Sequence, residues 1–253
     1  MPRQPEPTEP PSFEGVLGLP LELVWIDCSG TSGPAADDLP EENPAGGFFI
    51  ARTEITNAQY AAFVADSGYD GSDHPSSKPG ETFLRHFDRE SDGRFACPPG
   101  REHDAVTNVS WYHAAAFCRW LSEQTGAVVR LPTDREWERA AGGTERRTYP
   151  WGDEWDATRC NWGDSRNRRF GGFDGYPEIA PVGSFPDGAT PEGVLDMAGN
   201  AWEWTLDQSL RGGPWCLGPE MMRCDQVARE DADRADDKFG FRVVVEATPI
   251  NEH

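Results

Sequence analysis

Residues 193–207 read GVLDMAGNAWEWTLD, and how this stretch folds decides the reading of the rest. Side chains of an extended strand alternate between faces, so Trp202 and Trp204 share one face and Glu203 takes the other. The Gly-Asn pair ahead of them, Gly199 and Asn200, marks a turn. A turn followed by a three-residue strand is the style of the whole C-terminal half. From about residue 143 to 253 no long helical period is visible, and Gly, Asn, Asp and Trp dominate. Short strands are expected at APVGSF (180–185), NAWEWT (200–205) and FGFRVVVEA (239–247).

Regular structure lies upstream. LELVWI (21–26) and FFIARTEIT (48–56) read as strands. In TNAQYAAFVADSG (56–68), Thr56 and Gln59 have capping-box spacing. Tyr60, Phe63 and Val64 form an apolar stripe there, and Gly68 ends the helix. Ser110 caps WYHAAAFCRWLSEQTG (111–126), which places Ala114, Phe117, Cys118 and Leu121 on one face and stops at Gly126. VVRLPTDREWERAAGG (128–143) gives a short strand and a further capping box at Thr133 and Glu136. Between the first two helices, the polar stretch 70–106 carries His74, His86, His103 and Cys97. Loops of this length usually carry function. The architecture expected is α+β, with two main helices, short antiparallel strands and much ordered loop. Residues 1–19, rich in Pro and Glu, are expected to be a flexible lead-in, and 20–253 a single domain.

Composition narrows the function. Ten tryptophans and thirteen phenylalanines promise an aromatic core. The 27 glycines and 22 prolines, roughly a fifth of the chain, suit a loop-rich fold. A net charge of −21 argues against nucleic acid and anionic membranes as partners, because phosphate attraction needs clustered Lys and Arg. The first fifteen residues show no secretory signal, and no run of about 20 apolar residues could span a bilayer. A cytoplasmic location is expected, with the six cysteines mostly reduced.

Eight segments, in order, carry a resemblance: TEITNAQYAAFV, VTNVSWYHAAAFCRWL, RLPTDREWERAAGG, YPWGDEWD, APVGSFP, GVLDMAGNAWEWTLD, LRGGPW and GFRVVV. They resemble the formylglycine-generating enzyme, or sulfatase-modifying factor, family over roughly residues 20–246. The resemblance implies that family's variant of the C-type-lectin-like fold. It also implies a calcium site at Asn161, the carbonyl of Trp162, Asp174 and the carbonyl of Tyr176. Calcium favours hard oxygen ligands, backbone carbonyls included. The alternative for these residues is a pair of Asx turns without metal.

The catalytic members carry a Ser directly after the Gly-Gly and two cysteines separated by four residues, the first three positions after that Ser. These thiolates hold copper(I), which soft sulfur suits, and a substrate cysteine is oxidised to formylglycine. Here Pro214 takes the Ser position, Cys216 falls one place early, and Cys224 follows after a seven-residue gap. The resemblance therefore leaves two readings. One is a copper- and oxygen-dependent oxidoreductase using Cys216 and Cys224, or a related metal-dependent oxygenase, for which His74, His86 and His103 with Asp88 or Asp104 are candidate ligands. The other is a calcium-supported domain that has lost the copper site and binds a protein or peptide, similar to the variable proteins of diversity-generating retroelements. Its binding face would hold Trp215, Cys216, Leu217, Glu220, Met221, Met222 and Arg223. The second reading is favoured, because the displaced thiols would need a loop rearrangement to reach a two-sulfur copper site.

Overall fold

The computed structural model describes residues 13–18, 20–28, 46–71, 84–89, 95–163 and 174–246. In chain order its helices are α1 (Glu14–Leu17), α2 (Asn57–Ser67), α3 (Trp111–Thr125) and α4 (Asp134–Gly142). Its strands are β1 (Leu23–Asp27), β2 (Gly47–Ala51), β3 (Asp88–Arg89), β4 (Phe95–Ala96), β5 (Val129–Arg130), β6 (Trp202–Trp204), β7 (Ser209–Arg211), β8 (Ala228–Arg229), β9 (Phe239–Gly240) and β10 (Val244–Val245).

The helix starts follow from their caps. Thr56 Oγ1 accepts from Gln59 N–H at 3.2 Å, and Gln59 Oε1 accepts from Thr56 N–H at 2.9 Å. Thr133 and Glu136 close the same box on α4 at 3.2 and 2.8 Å. On α3 the box is closed by His113, whose Nδ1 accepts from Ser110 N–H at 3.0 Å. No capping-box spacing announces it, since the usual third residue is Glu or Gln. The two main helices are α2 and α3, with α4 a third, nine-residue helix.

The first sheet has the order β1-β2-β10-β5, antiparallel throughout, with Leu23 opposite Ala51 and Val244 between Ile50 and Arg130. Its alternation separates two cores. Phe49, Ala51, Val243 and Val245 face the larger, where Tyr60 of α2 stacks on Phe117 of α3 at 5.7 Å and Phe241 meets Phe117 edge-on at 5.4 Å. Phe48, Ile50 and Val244 face the smaller, built on Trp137, Ala140 and Ala141 of α4.

The second sheet, β8-β7-β6-β9, corrects the expectation of antiparallel strands only, because β6 and β9 run parallel, Trp202 beside Phe239. APVGSF is a second correction. It forms turns rather than a strand, touching Asp104 only by an isolated bridge at Pro181, which lacks an N–H to continue a ladder. The expected lead-in is corrected from residue 13 onward. Phe13 is buried in the larger core, and α1 packs on α2 and α3. Residues 1–12 lie outside the described residues. No described helix is long and apolar enough to cross a membrane.

Candidate functional site

β7 feeds the Arg-Gly-Gly turn. Gly212 and Gly213 have φ of 93° and 77°, a region that favours glycine. A Cβ on Gly213 would lie 2.5 Å from Met221 O and 2.7 Å from Met222 Sδ. The turn therefore folds the chain directly back onto residues 221–222. Arg211, buried, closes the base of this loop. Its Nε reaches Asp134 at 3.2 Å, and its Nη1 donates to Cys224 O at 3.3 Å.

The two thiols hang in different surroundings. Cys216 sits against Gly163, where a Cβ would come within 2.9 Å of Cys216 Cα, and its charged neighbours are Lys238, Asp237 and Asp236. Cys224 belongs to the smaller core with Trp137 and Ala141, and its charged neighbours are Arg147, Asp225 and Glu138. Burial pushes the Cys216 thiol up and the Cys224 thiol up to about 12. Burial thus disfavours the thiolate, the nucleophilic form, at both positions. Among the described residues no three His, Cys, Asp or Glu side chains converge as metal ligands, so His86 and His103 do not form a facial triad with Asp88 or Asp104. His74 lies outside the described residues.

Of the expected binding residues, Glu220 is exposed, while Trp215, Leu217, Met221 and Arg223 are half-buried. Trp215 leans on Ala105, Ile179 and Ala201, and its ring N–H is buried with no partner. Leu217 and Met221 pack down on the larger core. Arg223 pairs with Asp225 at 2.9 Å. Two residues are corrected. Met222 is fully buried beside Tyr149, Cys160 and Ala198, and Cys216 is buried too, so both lie beneath the loop rather than on its face.

The four expected calcium residues come together. Asp174 accepts from Trp162 N–H at 2.7 Å through one oxygen and from Tyr176 N–H at 3.0 Å through the other. Asn161 is buried. Its Nδ2 donates to Glu178 O and to Asn200 Oδ1, both at 2.9 Å. With the amide so oriented, Asn161 Oδ1 is buried and has no hydrogen-bond partner among the described residues. Orphaned buried acceptors are rare in folded proteins and point to an unseen water or ion. An amide oxygen, a carboxylate and two peptide carbonyls are hard oxygen donors of the kind calcium takes, while the bonds of Asp174 to the Trp162 and Tyr176 N–H groups also match the Asx-turn alternative.

Behind this loop lies a charged network with no counterpart in the sequence reading. Arg242 is fully buried and forms a fork with Glu203, Nε to Oε2 at 2.6 Å and Nη2 to Oε1 at 2.7 Å. It also donates to the carbonyls of Ala51, Arg52, Leu195 and Asp196. Trp137 Nε1 donates to Glu203 at 2.9 Å. Glu54, beside Asp196, accepts from Asn200 Nδ2 at 3.0 Å. Glu54 Oε2 finds no donor. A lone acid between two tryptophans and a lone arginine in GFRVVV were the available signals.

The chain is similar to several known proteins. It is 28% identical to the serine/threonine-protein kinase Pkn1 of Chlamydia trachomatis, over 88% of this chain and 38% of that one. It is 35% identical to the inactive C-alpha-formylglycine-generating enzyme 2 of Bos taurus, over 54% of this chain and 48% of that one. The chain thus spans less than half the length of either relative. It is 33% identical to the formylglycine-generating enzyme of Streptomyces coelicolor, over 78% and 70%. Among solved structures, PvdO from Pseudomonas aeruginosa superposes with a TM-score of 0.62 at 22% identity, covering 88% of this chain and 94% of that one. Treponema denticola variable protein 1 superposes at 0.61 and 17%, covering 90% and 96%. Residues 31–247 match the family model of the sulfatase-modifying factor enzyme 1-like domain, and the chain belongs to that family.

Proposed function

We propose that this is a non-catalytic member of its family, a calcium-supported domain that binds a protein or peptide ligand on the surface around residues 209–238. The observation that carries the reading is the state of Cys216 and Cys224. Pro214 stands before them, and the two thiols are buried in separate surroundings. Two soft thiolates side by side are what a copper(I) site needs. The 35% identical bovine relative is itself named inactive, which supports the same reading.

Calcium would be held by Asn161 Oδ1, Asp174 and the carbonyls of Trp162 and Tyr176. When bound it would supply charge that links residues 161–162 to 174–176. The chain's own residues do the rest. Asn200 orients the Asn161 amide, and the Gly212-Gly213 turn presents Trp215, Leu217, Glu220 and Met221 on a braced base. A copper(I) titration with an aerobic cysteine-peptide oxidation assay tests the reading. No stoichiometric copper dependent on the two thiols and an unoxidised peptide uphold it, and thiol-dependent copper with aldehyde product rejects it.

A further inference from the structure

Beside the 211–224 loop stands an aromatic assembly that the proposed function does not use. Tyr149 and Trp151 stack face to face, 5.5 Å apart at 8°. Trp155 leans on both, at 5.3 and 6.0 Å. A backbone bridge holds Tyr149 to Gly152, with hydrogen bonds of 2.8 and 3.1 Å. Trp151 spends its ring N–H on Glu154 O at 3.0 Å. The rings are thus fixed by the protein, while Trp151 and Trp155 stay half-buried. Met222 and Cys160 fill the space beneath, and Leu217 packs against the edge, so the assembly continues the loop surface.

Among the described residues, the positive charges near it are paired. Arg147, Arg159 and Arg223 are each paired with a carboxylate, at 2.9, 3.0 and 2.9 Å. Asp153 and Glu154 are exposed, and Thr148 hydrogen bonds hold the Asp153 carboxyl below the usual range, so it stays charged. Rigid, half-buried indole rings beside the exposed carboxylates of Asp153 and Glu154 attract a cation on a flat, weakly hydrated head, as in arginine. The net charge of −21 steers such a ligand in.

We propose that Trp151 and Trp155, rimmed by Asp153 and Glu154, form a docking platform for the arginine side chains of a basic peptide. The proposal rests on the binding reading above and names its partner class. The test is calorimetric titration with the capped peptide Gly-Arg-Gly-Arg-Gly, against a version with uncharged citrulline for arginine. The arginine peptide binds and the citrulline peptide does not. Trp151→Leu and Trp155→Leu keep apolar bulk but lose most of the ring quadrupole, and each weakens binding about tenfold. Their melting temperatures are measured alongside, and Glu154→Gln, on an exposed residue, weakens binding without touching the fold. Equal binding of both peptides, or of wild type and both Leu variants, overturns the platform. Loss of binding in Leu217→Ser and Glu220→Gln alone overturns the platform while leaving the loop-binding reading intact. Much tighter binding by the triple variant R166S/R168S/R169S also overturns it, since the chain's own arginines would then be the occupant.

Discussion

Asn161 donates its side-chain amide to Asn200 Oδ1 at 2.9 Å, and this one bond turns the Asn161 oxygen into a buried position with no donor. Asn200 is itself fixed by Glu54 at 3.0 Å and by Ala180 N–H at 2.9 Å. The amide orientation is therefore set from the core side.

Calcium should raise the melting temperature. Ligand at a hundred times its Kd adds about 2.7 kcal/mol to the folded state. In a chain of this length that corresponds to roughly 2–4 °C for each kcal/mol. Scanning calorimetry with calcium and with chelator measures it. Asp174→Ala, which removes one ligand, should melt at the same temperature in both. A wild-type melt indifferent to chelator rejects the site.

Gly199→Ala should disturb the same contact from the backbone. Gly199 has φ of 81°, and a Cβ there would lie 2.1 Å from Asn161 O. Strain of about 1–3 kcal/mol comes from the conformation alone, and the collision adds to it. Urea unfolding should show this loss together with reduced calcium sensitivity. A variant as stable as wild type would contradict the geometry.

Arg242→Ala should be among the most damaging single changes. It leaves Glu203 buried without its partner and strips hydrogen bonds from four carbonyls. Breaking a buried pair from one side costs about 3–5 kcal/mol. Arg52→Ala removes a solvent-exposed pair with Glu22 and should cost about 0–1 kcal/mol. Denaturant midpoints of the two variants compare them directly, and similar losses would refute the assignment.

Glu54 gives a pH signature. Burial, then the negative charges of Asp196 and Glu203, push its carboxyl well above the ordinary range, against the pull of Arg242. A proton on Glu54 also supplies the donor that two neighbouring carboxylates lack. A folded-state pKa above the unfolded one gives stability that is full below the ordinary Glu value and is lost as pH rises through the folded value. Glu54→Gln keeps the acceptor for Asn200 and removes the titration. Its stability relative to wild type should therefore improve as pH rises from about 5 to 9, as read by urea unfolding. A constant difference across that range would show that Glu54 does not titrate.

Local signals in the sequence were strong where chemistry is local. Thr56 with Gln59 and Thr133 with Glu136 name their own helix starts, and Ala114, Phe117, Cys118 and Leu121 form the buried face their spacing implies. The parallel pairing of Trp202 with Phe239 and the fork of Arg242 on Glu203 join residues more than thirty positions apart, and no local pattern encodes them. The burial of Cys216 and Met222 was hidden for the same reason. Gly163 and Tyr149, distant in sequence, supply the walls.

The proposed function stands on Cys216 and Cys224 not forming a copper oxidase site. The direct measurement is anaerobic copper(I) loading with metal quantified, followed by incubation in air with a cysteine-bearing peptide and mass spectrometry for the aldehyde. The account predicts no stoichiometric copper that depends on both thiols, and an unchanged peptide. Copper bound one-to-one, lost in Cys216→Ser and in Cys224→Ser, together with formylglycine in the peptide, would contradict it.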